Sequence, residues 1–227
     1  MDDFWRIYEE AQSEKFSFDC DINLLCDLDF TKETTRTMEL PLGQIGKLKS
    51  NSYKGNFNGN GHTISGLKIN VLHAQNSDAG FFHSIEGGAV RDLYFDETCS
   101  FNGSWAGSLA AKVIGSVSIY NVSTRAVVQG GVAGGIVGFV DYGSLVFDSC
   151  YAGGSVTAST NEEIEGRSAG GLIGHVKNSS VTVKNCSHNG TVVSESGTSR
   201  SDWQGVFAGG IIGCVERGER QCVNRKL

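Results

Sequence analysis

The hexapeptide Ala133-Gly134-Gly135-Ile136-Val137-Gly138 recurs as Ala169-Gly170-Gly171-Leu172-Ile173-Gly174 and as Ala208-Gly209-Gly210-Ile211-Ile212-Gly213. Two weaker copies stand upstream, Ala79-Gly80-Phe81-Phe82-His83-Ser84 and Ala106-Gly107-Ser108-Leu109-Ala110-Ala111. The five alanines are 27, 27, 36 and 39 residues apart. The first place is always Ala, the second always Gly, the fourth always apolar and the sixth always small. A glycine loop that cradles a phosphate is needed once per nucleotide. Five copies at a near-constant period therefore point to architecture, and self-similarity on this scale is the signature of a solenoid.

A second column runs beside the first. Ile64-Ser65-Gly66-Leu67, Val90-Arg91-Asp92-Leu93, Ile119-Tyr120-Asn121-Val122, Phe147-Asp148-Ser149-Cys150 and Val183-Lys184-Asn185-Cys186 share one form: apolar, variable, turn-former, apolar. A third short strand follows around Val127-Val128, Val156 and Val192-Val193. Three short strands per repeat, divided by Gly, Asn, Asp and Ser, make one coil of a parallel β-helix. No unit holds a 3.6-period apolar stripe, which sets helical repeats aside. The expected fold is an all-β, right-handed, single-stranded parallel β-helix of five to six coils. Asn121, Ser149 and Asn185 are expected to stack as a ladder of left-handed turn residues. The hexapeptide glycines are expected where a side chain would strike the neighbouring coil.

A solenoid exposes its core at each end and needs caps. Phe4, Ile7, Tyr8 and Ala11 fall on one helical face behind Asp2 and Asp3, which predicts a short capping helix. Phe16, Phe18, Cys20, Ile22, Leu24, Cys26, Leu28 and Phe30 alternate at every second residue, as in a strand with one buried face. The expected division is a cap and first strand region over 1–53, the repeat domain over 54–215, and a polar tail over 216–227. Past Ala208 the fifth unit shows no second column, so the tail either folds back or the chain stops mid-repeat.

Gly 31 against Pro 1 fits tight corners inside regular structure rather than ordinary loops. Charged residues at 19% and hydrophobic ones at 39% fit a folded domain. A net charge of -6 argues against nucleic acid as a partner. No apolar run is long enough for a membrane span, and no signal-peptide pattern follows Met1. The chain is then either intracellular or a piece of something longer.

The hexapeptides resemble the GLUG motif, as in Gly171-Leu172-Ile173-Gly174. "YKGNFNGNGHTISGLKI" from Tyr53 resembles the Phe-x-Gly-x-Phe-Asp-Gly-x-Gly-His-x-Ile segment that precedes GLUG repeats, and "DCDINLLCDLDF" is similar to the strand that opens such domains. The likeness runs from about Asp19 to Val215. It implies a right-handed β-helix from a large surface or secreted microbial protein, adhesin-like or a non-catalytic part of an IgA-specific metallopeptidase. It implies no peptidase activity, because the chain has no His-Glu-x-x-His zinc site.

The expected function is structural or adhesive, with no catalytic residue, cofactor or metal, and with a glycan or a host or cell-surface protein as partner. End-to-end self-association is a further possibility for a rod. The alternatives are a carbohydrate-active enzyme, a polysaccharide lyase or glycoside hydrolase, and an intracellular scaffold. The enzyme would draw on Asp92 and Asp148 near the second column, with Arg91 and Lys184 on the same outer face, although the coil between the two acids offers Tyr120 and Asn121. His62 is expected to bond turn backbone; His73, His83, His175 and His188 lack metal-ligand spacing. The seven cysteines form no CxxC pair. Cys20, Cys26, Cys150 and Cys186 are expected as inward thiols, the last two stacked closely enough for a disulfide, while Cys99, Cys214 and Cys222 have no evident partner. Of five Asn-x-Ser/Thr sequons, Asn102, Asn178 and Asn189 are the better candidates for glycosylation, because Asn121 and Asn185 serve the ladder. The lengthened repeats add residues at one phase, and solenoid insertions at one phase line one side. Glu162, Glu163, Glu165, Arg200 and Trp203 in those loops are the candidate partner-binding residues.

Overall fold

Each repeat stacks its strands on those of the next in parallel register. The second column runs Ile22, Phe57, Val90, Ile119, Phe147, Val183 through successive coils. The third-strand column runs Ile69, Phe101, Val128, Val156, Val192. The hexapeptide alanines form a third, Ala79, Ala106, Ala133, Ala169, Ala208. A computed structural model describes residues 1–13, 15–33, 35–45, 49–71, 78–159, 167–195 and 205–216. Over them the chain is an all-β parallel solenoid of about five turns behind one short helix. Its two main sheets have twelve and seven strands, and the hexapeptide turns the chain from the second into the first. No helix among the described residues is long and apolar enough to cross a membrane.

The hexapeptide glycines are explained by room. A Cβ on the second-place glycine would meet the carbonyl oxygen three residues on in its own coil: 1.9 Å from Val137 O at Gly134, 1.8 Å from Ile173 O at Gly170, 2.0 Å from Ile212 O at Gly209. A Cβ on the third-place Gly135 or Gly171 would lie 2.2 or 2.0 Å from the third-place oxygen of the next coil. On the sixth-place Gly174 or Gly213 it would run into the backbone of Ala133 or Ala169 at 2.8 or 2.7 Å. None of these glycines has a positive φ. Gly210 differs: nothing lies within 4 Å of its Cβ position. Crowding is therefore not a property of every copy. It needs a coil stacked on the third place, and no described coil follows Gly210.

Left-handed backbone is confined to other corners. Asp92, Asn121, Ser149 and Asn185 follow the second column with φ of 55°, 49°, 57° and 51°, and Asn60 has 51°. The stacked ladder expected of Asn121, Ser149 and Asn185 is present. Asn121 Nδ2 donates to Asp92 Oδ1 at 2.7 Å and Asn185 Nδ2 to Asp148 Oδ1 at 2.9 Å. In the first full coil the sequence column was misplaced. Phe57, not Ile64, pairs with Val90, and His62 pairs with Leu93. Gly59-Asn60-Gly61 fills the space that Asp92 alone fills in the next coil, and this bulge hides the column. In the first hexapeptide copy Phe82 pairs with Ala110, so Phe81 takes the place opposite Leu109. That copy is one residue short.

The capping helix spans Asp2–Ala11 and buries Phe4, Trp5 and Ala11, with Ile7 and Tyr8 against the core. Phe4 meets Phe30 edge-on at 5.3 Å and lies over Phe81 at 6.1 Å, closing the first coils. Trp5 was not expected inside. It turns in because its Nε1 donates to Glu33 Oε2 at 3.0 Å. The eight-residue alternation is not one strand: only Ile22–Asn23 and Leu28–Asp29 pair, and Cys20 and Cys26 are exposed. Parallel pairing with Phe57 and Ile64 needs both short pieces to turn with the coil, and the cysteines lie outside the paired pieces, Cys20 before the first and Cys26 between the two. The core itself shifts along the axis. Phe18, Tyr53, Phe57, Phe81, Phe82, Phe95 and Phe101 fill the first coils, while Leu109, Ile136, Leu145, Val156 and Leu172 fill the later ones. Phe147 is the late exception.

Candidate functional site

Glu162, Glu163, Glu165, Arg200 and Trp203 lie outside the described residues, as do His73 and Cys222. What the fold fixes is where their segments are rooted. Gly130, Ala158 and Ser194 are in register, and so are Val132, Ser168 and Phe207. One coil crosses from Gly130 to Val132 through Gly131 alone; the next two cross the same gap with 159–167 and 195–206. The earlier segment 71–78 sits between Asn70 and Ala79, which pair with Asn102 and Ala106. All three are inserted at one phase, immediately before the glycine corner. Arg167 Nη1 donates to Glu195 O at 3.0 Å and ties two of the roots together.

The glycine corner is re-entrant, and the outward side chains on its two flanks touch each other. Asp78 Oδ2 lies 3.4 Å from His83 Nε2 across it. One coil on, Lys112 Nζ sits 5.3 Å from the centre of the Trp105 ring, a cation–π contact across the same corner. Ser168 donates from its hydroxyl to Gly174 O on the far flank. The flanking residues come from two registers, Trp105, Val132, Ser168, Phe207 on one side and Lys112, Phe139, His175, Cys214 on the other. Trp105 stacks on Phe139 at 4.7 Å with rings 18° from parallel, and Phe139 meets His175 edge-on at 5.3 Å. Lys112 Nζ is also 5.6 Å from the Phe139 ring.

Charge runs along the same edge. Asp141, Lys177 and Glu216 are in register. Lys112 Nζ lies 3.5 Å from Asp141 Oδ2, Lys177 Nζ 3.5 Å from Glu216 Oε1, and His175 Nε2 3.4 Å from Glu216 Oε2. Except for Lys177, these side chains are at most 20% exposed. Burial pushes the His175 imidazole below its ordinary value, outweighing Glu216, which pulls the other way. The ring is thus neutral near pH 7. Asp141 Oδ1 completes no hydrogen bond, while His175 Nε2 faces Glu216 Oε2 at 3.4 Å. A buried polar atom like Asp141 Oδ1 costs about 1–3 kcal/mol when left alone. The corner therefore gathers two stacked aromatic rings, two lysines, two carboxylates and a neutral imidazole, paired with one another. None of these residues stood out in the sequence.

The outer face of the second column is different. Asp92 and Asp148 do not share a column: Asp148 stacks with Arg91, Tyr120 and Lys184, while Asp92 precedes Leu93 at the left-handed place. Each is hydrogen-bonded by the ladder asparagine of the next coil. The Asn185 amide holds the Asp148 carboxyl below its ordinary value. His62 bonds a side chain, not turn backbone: its Nδ1 lies 3.0 Å from Asp27 Oδ1, which also accepts from Thr63 N at 2.9 Å. Cys150 and Cys99 are buried free thiols, both pushed up to about 12 by burial. Cys186, half-buried and free, accepts from Cys150 N at 3.3 Å, so the two stack without bonding. Cys214 is disulfide-bonded, against the expectation that it lacks a partner. Among the described residues no group of three or more His, Cys, Asp or Glu is placed to hold a metal.

No family model matches the chain, and no curated protein does. A solved structure from Bacteroides ovatus, described as a "putative immunoglobulin A1 protease", is similar over 93% of this chain and 81% of its own, at 17% identity and a TM-score of 0.50. At that identity the likeness extends to the solenoid fold.

Proposed function

We propose that this chain is a non-catalytic, adhesive β-solenoid module of a surface or secreted protein, of the kind that GLUG-like repeats build, and that it presents its inserted loops and glycine corner to a glycan or a protein. The observation that carries this is the use made of the second-column carboxylates. Asp92 and Asp148 accept from Asn121 and Asn185 along the ladder, so they hold coil to coil. A rod whose outer acids brace it is suited to presenting a surface. Insertion of three segments at one phase supports the same reading, since it roots the extra chain on one side.

A second reading, a carbohydrate-active enzyme, is favoured by the corner pairs Lys112–Asp141 and His175–Glu216, which bring acid and base groups together. The name of the similar Bacteroides ovatus structure would extend a third, proteolysis, to this chain. Reducing-sugar release from a panel of acidic and neutral glycans, with cleavage of immunoglobulin A1 assayed in parallel, separates the three. The adhesive reading expects no turnover with retention on an immobilised glycan or glycoprotein. Turnover that disappears in Asp141→Asn would overturn it.

A further inference from the structure

We propose that Asn178 is an N-glycan acceptor and that the exposed Tyr142 ring, one coil before it, is the seat of the first sugar. This rests on the surface or secreted reading and adds a modification to it.

The fold separates the five Asn-x-Ser/Thr sequons. Asn121 and Asn185 commit the nitrogen that would carry a sugar, Nδ2, to the carboxylates of Asp92 and Asp148. Asn102 lies within the strand Ser100–Gly107 with its Oδ1 buried. Asn189 is exposed, but its Oδ1 accepts from the Tyr151 hydroxyl, which holds the amide to the coil before. Asn178 is exposed, and its side-chain amide makes no hydrogen bond among the described residues. It stands at a left-handed turn, φ 48°, between the strands Ile173–Lys177 and Ser180–Lys184. Ser180, the hydroxyl of its sequon, is exposed as well.

Tyr142 is an independent observation. Asp141 pairs with Lys177 and Ser144 with Ser180, so Tyr142-Gly143 and Asn178-Ser179 fill one place on successive coils, about 4.8 Å apart. Tyr142 has φ of 49°, so both side chains leave left-handed backbone at the same corner. Relative to the coil before, Tyr142 is an extra residue, since Ile114 pairs with Asp141 and Gly115 with Gly143. Left-handed backbone is costly for a tyrosine, and this ring gains little burial in return, being 68% exposed. An N-acetylglucosamine on Asn178 would bring an apolar ring face beside it, which gives the aromatic surface something to cover. The transfer balances with a polyprenyl diphosphate-linked oligosaccharide as donor. The bond from Nδ2 to the sugar C1 forms, the bond from C1 to the diphosphate oxygen breaks, the amide gives up one proton, and the lipid diphosphate leaves.

The test directs the full chain, behind a cleavable leader, through the secretory pathway of yeast, so the site is tested apart from the chain's own destination. Peptide mapping after N-glycosidase treatment reads occupancy at each sequon of the secreted, folded protein. Asn178 should be occupied in most molecules, and Asn102, Asn121 and Asn185 in none. Ser180→Ala should abolish occupancy at Asn178 without touching the turn, and Ser180→Thr should keep it. Trimming with an endoglycosidase leaves one sugar, which should raise the melting temperature by about 2 °C over Ser180→Ala. That gain should vanish when both proteins also carry Tyr142→Ala. An unmodified Asn178, or occupancy at Asn102 or Asn189 in its place, overturns the inference. An equal gain with and without the tyrosine overturns the seat on Tyr142. Turnover of a glycan or of immunoglobulin A1 would remove the adhesive reading and leave this result standing.

Discussion

Each coil turns at two corners that use small or turn-forming residues for opposite reasons. At the hexapeptide, glycine supplies space: Gly134, Gly170 and Gly171 have ordinary φ, and a Cβ would collide with backbone oxygen at 2.0 Å or less. At the corner after the second column, Asp92, Asn121, Ser149 and Asn185 supply conformation: they are left-handed at φ from 49° to 57°, and the asparagines bond carboxylates of the neighbouring coil. The first corner cannot accept a side chain at its second place, so its Ala-Gly columns are invariant and legible. The second needs residues that tolerate left-handed backbone, and it can be built from three residue types. Repetition of a residue and repetition of a role are different signals.

The largest effect should come from filling the crowded corner. Gly171→Val places its Cβ 2.0 Å from Gly210 O and 2.5 Å from His188 Cγ, and the backbone on one side has no room to give. A loss of about 3 kcal/mol or more is expected, at or above the upper end of ordinary overpacking. Gly210→Val, in the same place one coil on, meets nothing within 4 Å and should stay within about 0.5 kcal/mol of the parent. Chemical denaturation of the two variants side by side measures the difference. Equal losses would mean that the glycines serve backbone conformation after all.

The conformational corner should respond in the reverse manner. Asn121→Ala forces a residue with Cβ and no polar tip into left-handed backbone and removes the bond to Asp92, for a loss of about 1 kcal/mol. Asn121→Gly relieves the backbone and should come within about 0.5 kcal/mol of the parent, since the lost bond is exposed. If glycine proves worse than alanine here, the hydrogen bond and not the φ angle sets the residue.

These contrasts also explain what could be read in advance. The period, the Ala-Gly column, the capping helix and Asn121, Ser149 and Asn185 were legible because identical environments on successive coils select identical or equivalent residues. The first coils were harder. The three-residue bulge at Gly59-Asn60-Gly61 displaced the second column, and an alternation from Phe16 to Phe30 concealed two short strands that turn between them. The corner groove was missed because Lys112, Phe139, His175 and Cys214 share a place but no chemistry. One signal was present. The residue directly after the sixth hexapeptide place is outward in the last four copies, and an aromatic such as Phe139 there, with Trp105 just before its own copy, marks a contact across the corner. The loop residues Glu162, Glu163, Glu165, Arg200 and Trp203 fall outside the described residues, and only the common phase of their roots bears on them.

Thiol chemistry sharpens the placement of the second corner without altering stability. Cys150 and Cys186 follow the left-handed Ser149 and Asn185, and the corner turns Cys150 into the core. Cys20 and Cys26 should label rapidly in the native protein, Cys186 more slowly, and Cys150 and Cys99 only on unfolding. Residue-resolved alkylation followed by mass spectrometry gives the order. Rapid native labelling at Cys150 would reverse the facing of the whole column, because a slip of one residue exchanges inside for outside.

The smallest effect lies in the ladder's charge. The Asn185 amide, and after it Ser149, favours ionised Asp148 and lowers its pKa. A group whose folded pKa is depressed stabilises the fold above its unfolded value, about 3.9 for Asp, and loses that contribution as pH falls through the folded value. Asn185→Gly removes the amide while keeping the left-handed backbone that φ of 51° requires. Other carboxylates titrate in the same range, Asp29 and Glu33 at about 2 among them, so the absolute melting curve does not isolate Asp148. The difference between parent and variant does. The parent should melt slightly higher at pH 6, and the gap should close as pH falls below about 4. A gap that persists unchanged to pH 2.5 would assign the difference to the greater freedom of glycine in the unfolded chain. The acid ladder would then be a consequence of the coil, with no share in bracing it.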